Sequence, residues 1–229
     1  MKRFLPLLLV LVSVFSCLKP ELPKSIIQFS DKTYLALGDS YTVGDAIYQE
    51  ESFPFQLVDQ LNAAGIKTSD PDIVAYTGWT SSNLIDGIKQ AKLKERYDFV
   101  TLLIGVNNQY MKFSKEIYRK EFAELLNTAI SHSAGGRATV FVISIPDWGV
   151  TPFGQLKDPL KVAIEIDAFN KIIQEEVFNA RVHYIDITPD SRLAGIDQSL
   201  TSIDGLHPSA KMYAGWVKKL LPLVKKELY

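Results

Sequence analysis

Short apolar runs rich in β-forming residues alternate along most of this chain with longer stretches of helical periodicity, and that alternation leaves few folds open. The strand-like runs fall at residues 33–37, 72–76, 99–104, 139–144 and 181–187. Between them, residues 53–61 carry Leu57, Val58 and Leu61 on one face and stop at Gly65, and residues 81–94 carry Leu84, Ile85, Ile88 and Leu93. Ser114 can cap a helix presenting Ile117, Phe122, Leu125, Leu126 and Ile130, and residues 159–178 form a long helical stretch. Pro208 occupies a tolerated first helical position ahead of Trp216 and Leu220. Strands separated by helices pair in parallel through right-handed crossovers. The run at 99–104 has almost no polar alternation, as a strand covered on both faces requires. The expected architecture is a three-layer α/β/α sandwich with a parallel sheet.

The beginning of the chain follows another rule. Met1, Lys2 and Arg3 supply positive charge ahead of an apolar run from Phe4 to Phe15, too short to span a bilayer as a helix. Residues 1–16 read as a secretory signal, set apart from the fold. Cys17 is the only cysteine and follows Val14, Phe15 and Ser16. This placement resembles the lipobox of bacterial lipoproteins and implies lipidation of Cys17, with residues 17–30, including Pro20 and Pro23, as a tether to a domain over 31–229. The expected location is outside the cytoplasm, on a lipid anchor or, with plain signal cleavage, secreted. With 25 basic and 26 acidic residues the formal net charge is −1, which supplies no basic field for nucleic acid.

In an open parallel sheet, ligands sit beyond the carboxyl ends of the strands. Three polar segments lie there: Gly38-Asp39-Ser40, Thr77-Gly78-Trp79 and Gly105-Val106-Asn107-Asn108. A fourth, Asp204-Gly205-Leu206-His207, precedes the last helix. A serine hydroxyl becomes a useful nucleophile only when a base removes its proton. His207 can be that base, since imidazole titrates near neutrality. Asp204, three residues earlier, can bind the other ring nitrogen and hold the tautomer. The N–H groups of Ser40 and Gly78 and the amide of Asn107 can serve as donors to a developing oxyanion.

Taken together, Gly38-Asp39-Ser40-Tyr41 with Gly44, then Gly78, then Gly105-Val106-Asn107, then Asp204-Gly205-Leu206-His207-Pro208 resemble the four blocks of the GDSL or SGNH hydrolases. The blocks occur in the family's order and span most of the chain after the leader. The resemblance implies a flavodoxin-like sandwich and acyl-ester hydrolysis without metal or cofactor. It also implies Ser40, Gly78, Asn107 and His207 as the four named residues, with Asp204 as the acid. Tyr41 stands where Leu is more usual, and Asn108 where many members carry Asp, so Asn108 cannot supply that charge.

Other readings compete at single positions. An Asp-Ser pair can be a simple turn or a phosphopantetheine site, but carrier proteins are helical and a strand precedes this pair. Asp197 is a rival acid. His183 falls in a strand run, as a core or edge histidine, and His132 near a helix end, as a solvated one; neither has a partner at metal-ligand spacing. Residues 146–154 form a loop whose exposed-looking Trp148 and Phe153 are candidates for an acyl or alcohol pocket. The expected partners are small acyl esters, acetylated sugars or lysolipids. An acyltransferase is one alternative; a tethered binding protein that has lost turnover is another.

Overall fold

The computed structural model describes residues 31–229; the expected signal, tether and Cys17 anchor lie outside them. Five strands form one parallel sheet: β1 (Tyr34–Asp39), β2 (Asp72–Tyr76), β3 (Phe99–Leu103), β4 (Val140–Ile143) and β5 (His183–Ile185), in the order 2-1-3-4-5. Eight α-helices accompany them: α1 (Ser40–Val43), α2 (Phe53–Ala63), α3 (Ser81–Gln90), α4 (Val106–Tyr110), α5 (Lys115–His132), α6 (Pro159–Ala180), α7 (Thr188–Arg192) and α8 (Ala210–Leu228). Helices α2 and α8 pack together as one layer, while α5 packs against both α3 and α6 in the other. The expected parallel α/β/α sandwich is the observed fold. No helix among the described residues is long and apolar enough to cross a membrane.

The strand order reverses direction between β1 and β3, which is where doubly wound sheets open a crevice. These two strands are wholly buried and run in register from Tyr34 opposite Phe99 to Gly38 opposite Leu103. Gly38 is required there: a Cβ at this position would collide with the Thr42 side chain and lie 2.5 Å from the Leu103 carbonyl oxygen. Its absence lets α1 fold tightly back on the strand end. On the α2–α8 side, Tyr213 and Trp216 meet edge-on at 4.9 Å, and Phe53 lies 6.3 Å from Trp216. The Tyr213 hydroxyl donates to the Tyr41 carbonyl at 2.9 Å, so the core anchors the turn that follows β1.

Several local expectations are corrected. Helix α3 stops at Gln90 rather than Lys94, because Lys94 is drawn off to pair with Asp72 at 2.6 Å and its N–H donates to the Tyr97 hydroxyl. Ile117 is exposed; the adjacent Tyr118 takes the core position and donates its hydroxyl to the Ile104 carbonyl at 2.9 Å. Pro208 stands outside α8, ahead of the cap Ser209, whose hydroxyl accepts from the Met212 N–H. His132 is half-buried rather than solvated, with Nδ1 enclosed and unpartnered among the described residues. His183, by contrast, is the edge-strand histidine expected, stacked on Phe141 at 4.9 Å, with Nε2 3.0 Å from the Ala138 carbonyl oxygen.

Substituting Gly38→Ala is expected to destabilise the fold by about 1–3 kcal/mol, the usual cost of overpacking a dense interior. The measurement is the urea unfolding midpoint at constant slope; an unchanged midpoint would show that Thr42 can yield without penalty.

Candidate active site

Ser40 is the first residue of α1, immediately beyond β1. The Asp39 carboxylate oxygen Oδ1 accepts the Tyr41 N–H at 3.1 Å and caps the turn. Gly44, at φ 87°, closes it after a single turn by donating its N–H to the Ser40 carbonyl at 2.9 Å. The Ser40 N–H therefore stands at a helix start, where no intrahelical acceptor exists.

Beyond β3, Gly105 adopts φ 131° and opens α4, placing Asn107 on its first turn. Asn107 donates one amide hydrogen to the Trp79 carbonyl at 3.0 Å, leaving the other without an acceptor among the described residues. That contact joins α4 to the loop beyond β2, where Gly78 sits at φ 82°. The neighbouring Asn108 is fully buried, accepting the Ser81 N–H at 3.0 Å and donating to the Ser81 hydroxyl at 2.7 Å. The Ser81 hydroxyl donates in turn to Glu121. An Asp at 108 would set acceptor against acceptor, so the amide suits this chain.

His207 lies on the loop before α8. Its Nδ1 is 2.5 Å from Asp204 Oδ2. Asp204 Oδ1 accepts the N–H groups of Leu206 and His207 at 2.8 and 2.9 Å and the Ser202 hydroxyl at 2.7 Å. Partial burial works against this carboxylate, but the hydrogen bonds from His207, Ser202 and the two backbone N–H groups outweigh it and hold its pKa at about 2. With Nδ1 committed to a carboxylate, Nε2 is the nitrogen left to exchange protons. The ring also rests on Tyr41, 5.4 Å between centroids, which explains an aromatic after Ser40. Asp197 is engaged elsewhere, with Lys211 at 2.7 Å.

Ser40, Asn107 and His207 line one cavity of about 210 Å³, together with Tyr110, Trp148 and Phe153. Gly78 is not in its lining and approaches only through the Trp79–Asn107 contact. Among the described residues no hydrogen bond joins the Ser40 hydroxyl to His207. Trp148 is buried, correcting its exposed reading: its indole N–H donates to Gln109 at 2.7 Å and its ring packs edge-on against Tyr110 at 5.4 Å. Phe153 is half-buried, 6.0 Å from Trp148. Tyr110 and Gln109 lie on α4, whose single turn carries no apolar period to mark it in the sequence; Tyr110, three residues after Asn107, shares its helical face.

A serine, an imidazole fixed by a carboxylate and a free amide donor, gathered at the switch point of a parallel sandwich, describe a hydrolytic enzyme of the α/β class. The chain belongs to the GDSL-like lipase/acylhydrolase family, whose sequence pattern matches residues 36–214. No curated protein matches it by sequence. Its fold is similar to that of the lipase/acylhydrolase from Enterococcus faecalis, at 18% identity and TM-score 0.68, over 85% of this chain and 96% of that one. The psychrotrophic esterase EstA from Pseudoalteromonas sp. has 20% identity and TM-score 0.62, over 86% and 99%. Axe2, an acetylxylan esterase from Geobacillus stearothermophilus, has 15% identity and TM-score 0.61, over 87% and 94%.

Asp39 is fully buried, and its Oδ2 has no partner among the described residues. Burial pushes its pKa up to about 8; the Tyr41 N–H opposes this and the Asp45 charge adds to it. The unfolded chain loses this proton near pH 4, whereas the folded chain keeps it to about pH 8, so the contribution is complete below pH 4 and is lost as pH rises through about 8. Asp39→Asn, which has no proton to lose, is expected to gain stability relative to wild type between about pH 4 and 8. Parallel denaturation curves across that range, with a constant difference between the two proteins, would contradict the buried-acid assignment.

Proposed function

We propose that this chain is a serine esterase acting on small to medium acyl esters, with Ser40 as nucleophile, His207 as general base and acid, and Asp204 as its orienting carboxylate. The observation that carries the reading is the Asp204–His207 contact of 2.5 Å, with the imidazole lining the same cavity as Ser40 and Asn107. Ser40 Oγ attacks the ester carbonyl as His207 Nε2 takes its proton. The resulting oxyanion is held by the N–H groups of Ser40 and Gly78 and by the Asn107 amide. Gly78, at φ 82°, lies on the loop to which Asn107 is bonded, which supports a shared role. His207 then protonates the leaving alkoxide. Water, activated by the same nitrogen, releases the acid from Ser40.

The aromatic wall suits the acyl group. Tyr110, Trp148 and Phe153 form a mostly apolar lining beside Ser40, and the Gln109 bond holds the Trp148 ring in place. Acetylated carbohydrates, as the name of Axe2 suggests for that protein, and lysolipids are substrate classes compatible with this arrangement.

The structure of EstA was obtained with that enzyme inhibited by monoethylphosphonate. A fluorophosphonate probe is expected to label the wild-type chain at Ser40 and to leave Ser40→Ala unlabelled. Asn107→Ala should retain the fold and lose ~10²–10³ in kcat on a chromogenic acetate ester, the usual effect of removing one oxyanion donor. An Asn107→Ala variant as active as wild type would remove Asn107 from the mechanism.

Each acyl methylene that reaches the wall contributes up to about 0.8 kcal/mol, roughly fourfold in kcat/KM. Wild type is therefore expected to favour butyrate over acetate esters, and Phe153→Ala or Trp148→Phe to flatten that series. An unaltered chain-length profile in both variants would place the acyl group elsewhere.

A further inference from the structure

Asp45 has no part in the reading above, yet its Oδ2 lies 4.0 Å from His207 Nε2, on the nitrogen that Asp204 does not hold. The Thr77 hydroxyl donates to that same oxygen at 2.6 Å, so the carboxylate is tied to the loop beyond β2. Among the described residues no Lys or Arg pairs with it, and its side chain is 22% exposed. Asp45 does not line the aromatic cavity. It lines a separate open groove with Val43, Gly44, Ile47, Gln49 and Ile73, in which, among the described residues, it is the only charged side chain.

We propose that Asp45 is a specificity-determining residue that selects the alcohol half of the ester, favouring cationic or neutral leaving groups and rejecting anionic ones. This rests on His207 being the proton donor. When the tetrahedral intermediate collapses, the carbon–oxygen bond to the alcohol breaks, the acyl group stays on Ser40, and the His207 Nε2 proton passes to the departing oxygen. That oxygen must come within about 3 Å of Nε2. It therefore passes within about 7 Å of the Asp45 carboxylate. With the acyl chain in the aromatic cavity, the alcohol departs along the Nε2 edge of His207, the edge that the Asp45 carboxylate faces. At about 7 Å and the effective dielectric of a protein surface, a unit charge on the alcohol interacts with one carboxylate strongly enough to change kcat/KM by about tenfold.

The test uses three phenyl acetates of similar size and leaving-group reactivity: one neutral, one bearing a carboxylate and one bearing a trimethylammonium group. Wild type is expected to show kcat/KM at least about tenfold higher for the cationic ester than for the anionic one. In Asp45→Asn, which keeps an acceptor for Thr77, that ratio should collapse towards one, and Asp45→Glu should retain it. The wild-type ratio should also shrink as salt is raised, a readout that needs no variant. A ratio near one in wild type, or one unchanged in Asp45→Asn, overturns the proposal. Wild type that hydrolyses none of the three esters through Ser40 would instead remove the esterase reading, and this selectivity with it.

Discussion

The close parallel approach of β1 and β3 at Gly38 is the contact on which the site depends. These strands are adjacent in the sheet but separated in sequence by β2 and its crossovers. At their carboxyl ends one chain direction leads to Ser40 and the other to Asn107. A side chain at 38 would wedge the two ends apart and push α1 off the strand. The rigidity of the site follows from its supports. Ser40 is held by a capped single turn, Asn107 by a bond to Trp79, and Tyr41 by the Tyr213 hydroxyl from the far helix layer. Little side-chain freedom is left to be lost when an ester binds.

Three carboxylates near Ser40 meet three environments, and the differences are electrostatic. Asp39 lies in the core with one oxygen unpartnered among the described residues, and burial pushes its pKa up to about 8. Asp204 receives four hydrogen bonds and is held ionised. Asp45 takes one hydroxyl hydrogen from Thr77 and faces the opposite edge of the imidazole. Pairs of titratable groups pushed apart by their surroundings are the usual signature of divided roles.

Much of this was legible in residue order. The period of apolar residues marked every strand of the sheet and the five longer helices, because buried strands and amphipathic helices impose different spacings. The short helices α1, α4 and α7 were not legible, since one turn carries no period. Nor was the phase of α5: Ile117 and Tyr118 are both apolar enough to face inward, and the acceptor on Ile104 decides for Tyr118. Trp148 looked exposed because it sits in a loop; Gln109, 39 residues away in sequence, supplies the acceptor that lets its indole be buried. The Asn at 108 looked like a departure, and only the Ser81–Glu121 bond shows why an amide belongs there.

Sequence by itself determined the layer architecture, the positions of the polar segments at strand ends, and the pairing of Asp204 with His207, because each depends on spacing within one element or turn. Tertiary structure decided which distant groups face one another. The opening of Asp45 toward His207, the aromatic wall beside Ser40 and the raised pKa of Asp39 all depend on sheet order and burial. Those quantities exist only after the chain has closed on itself, since a carboxylate's charge and a pocket's lining are properties of surroundings rather than of residue type.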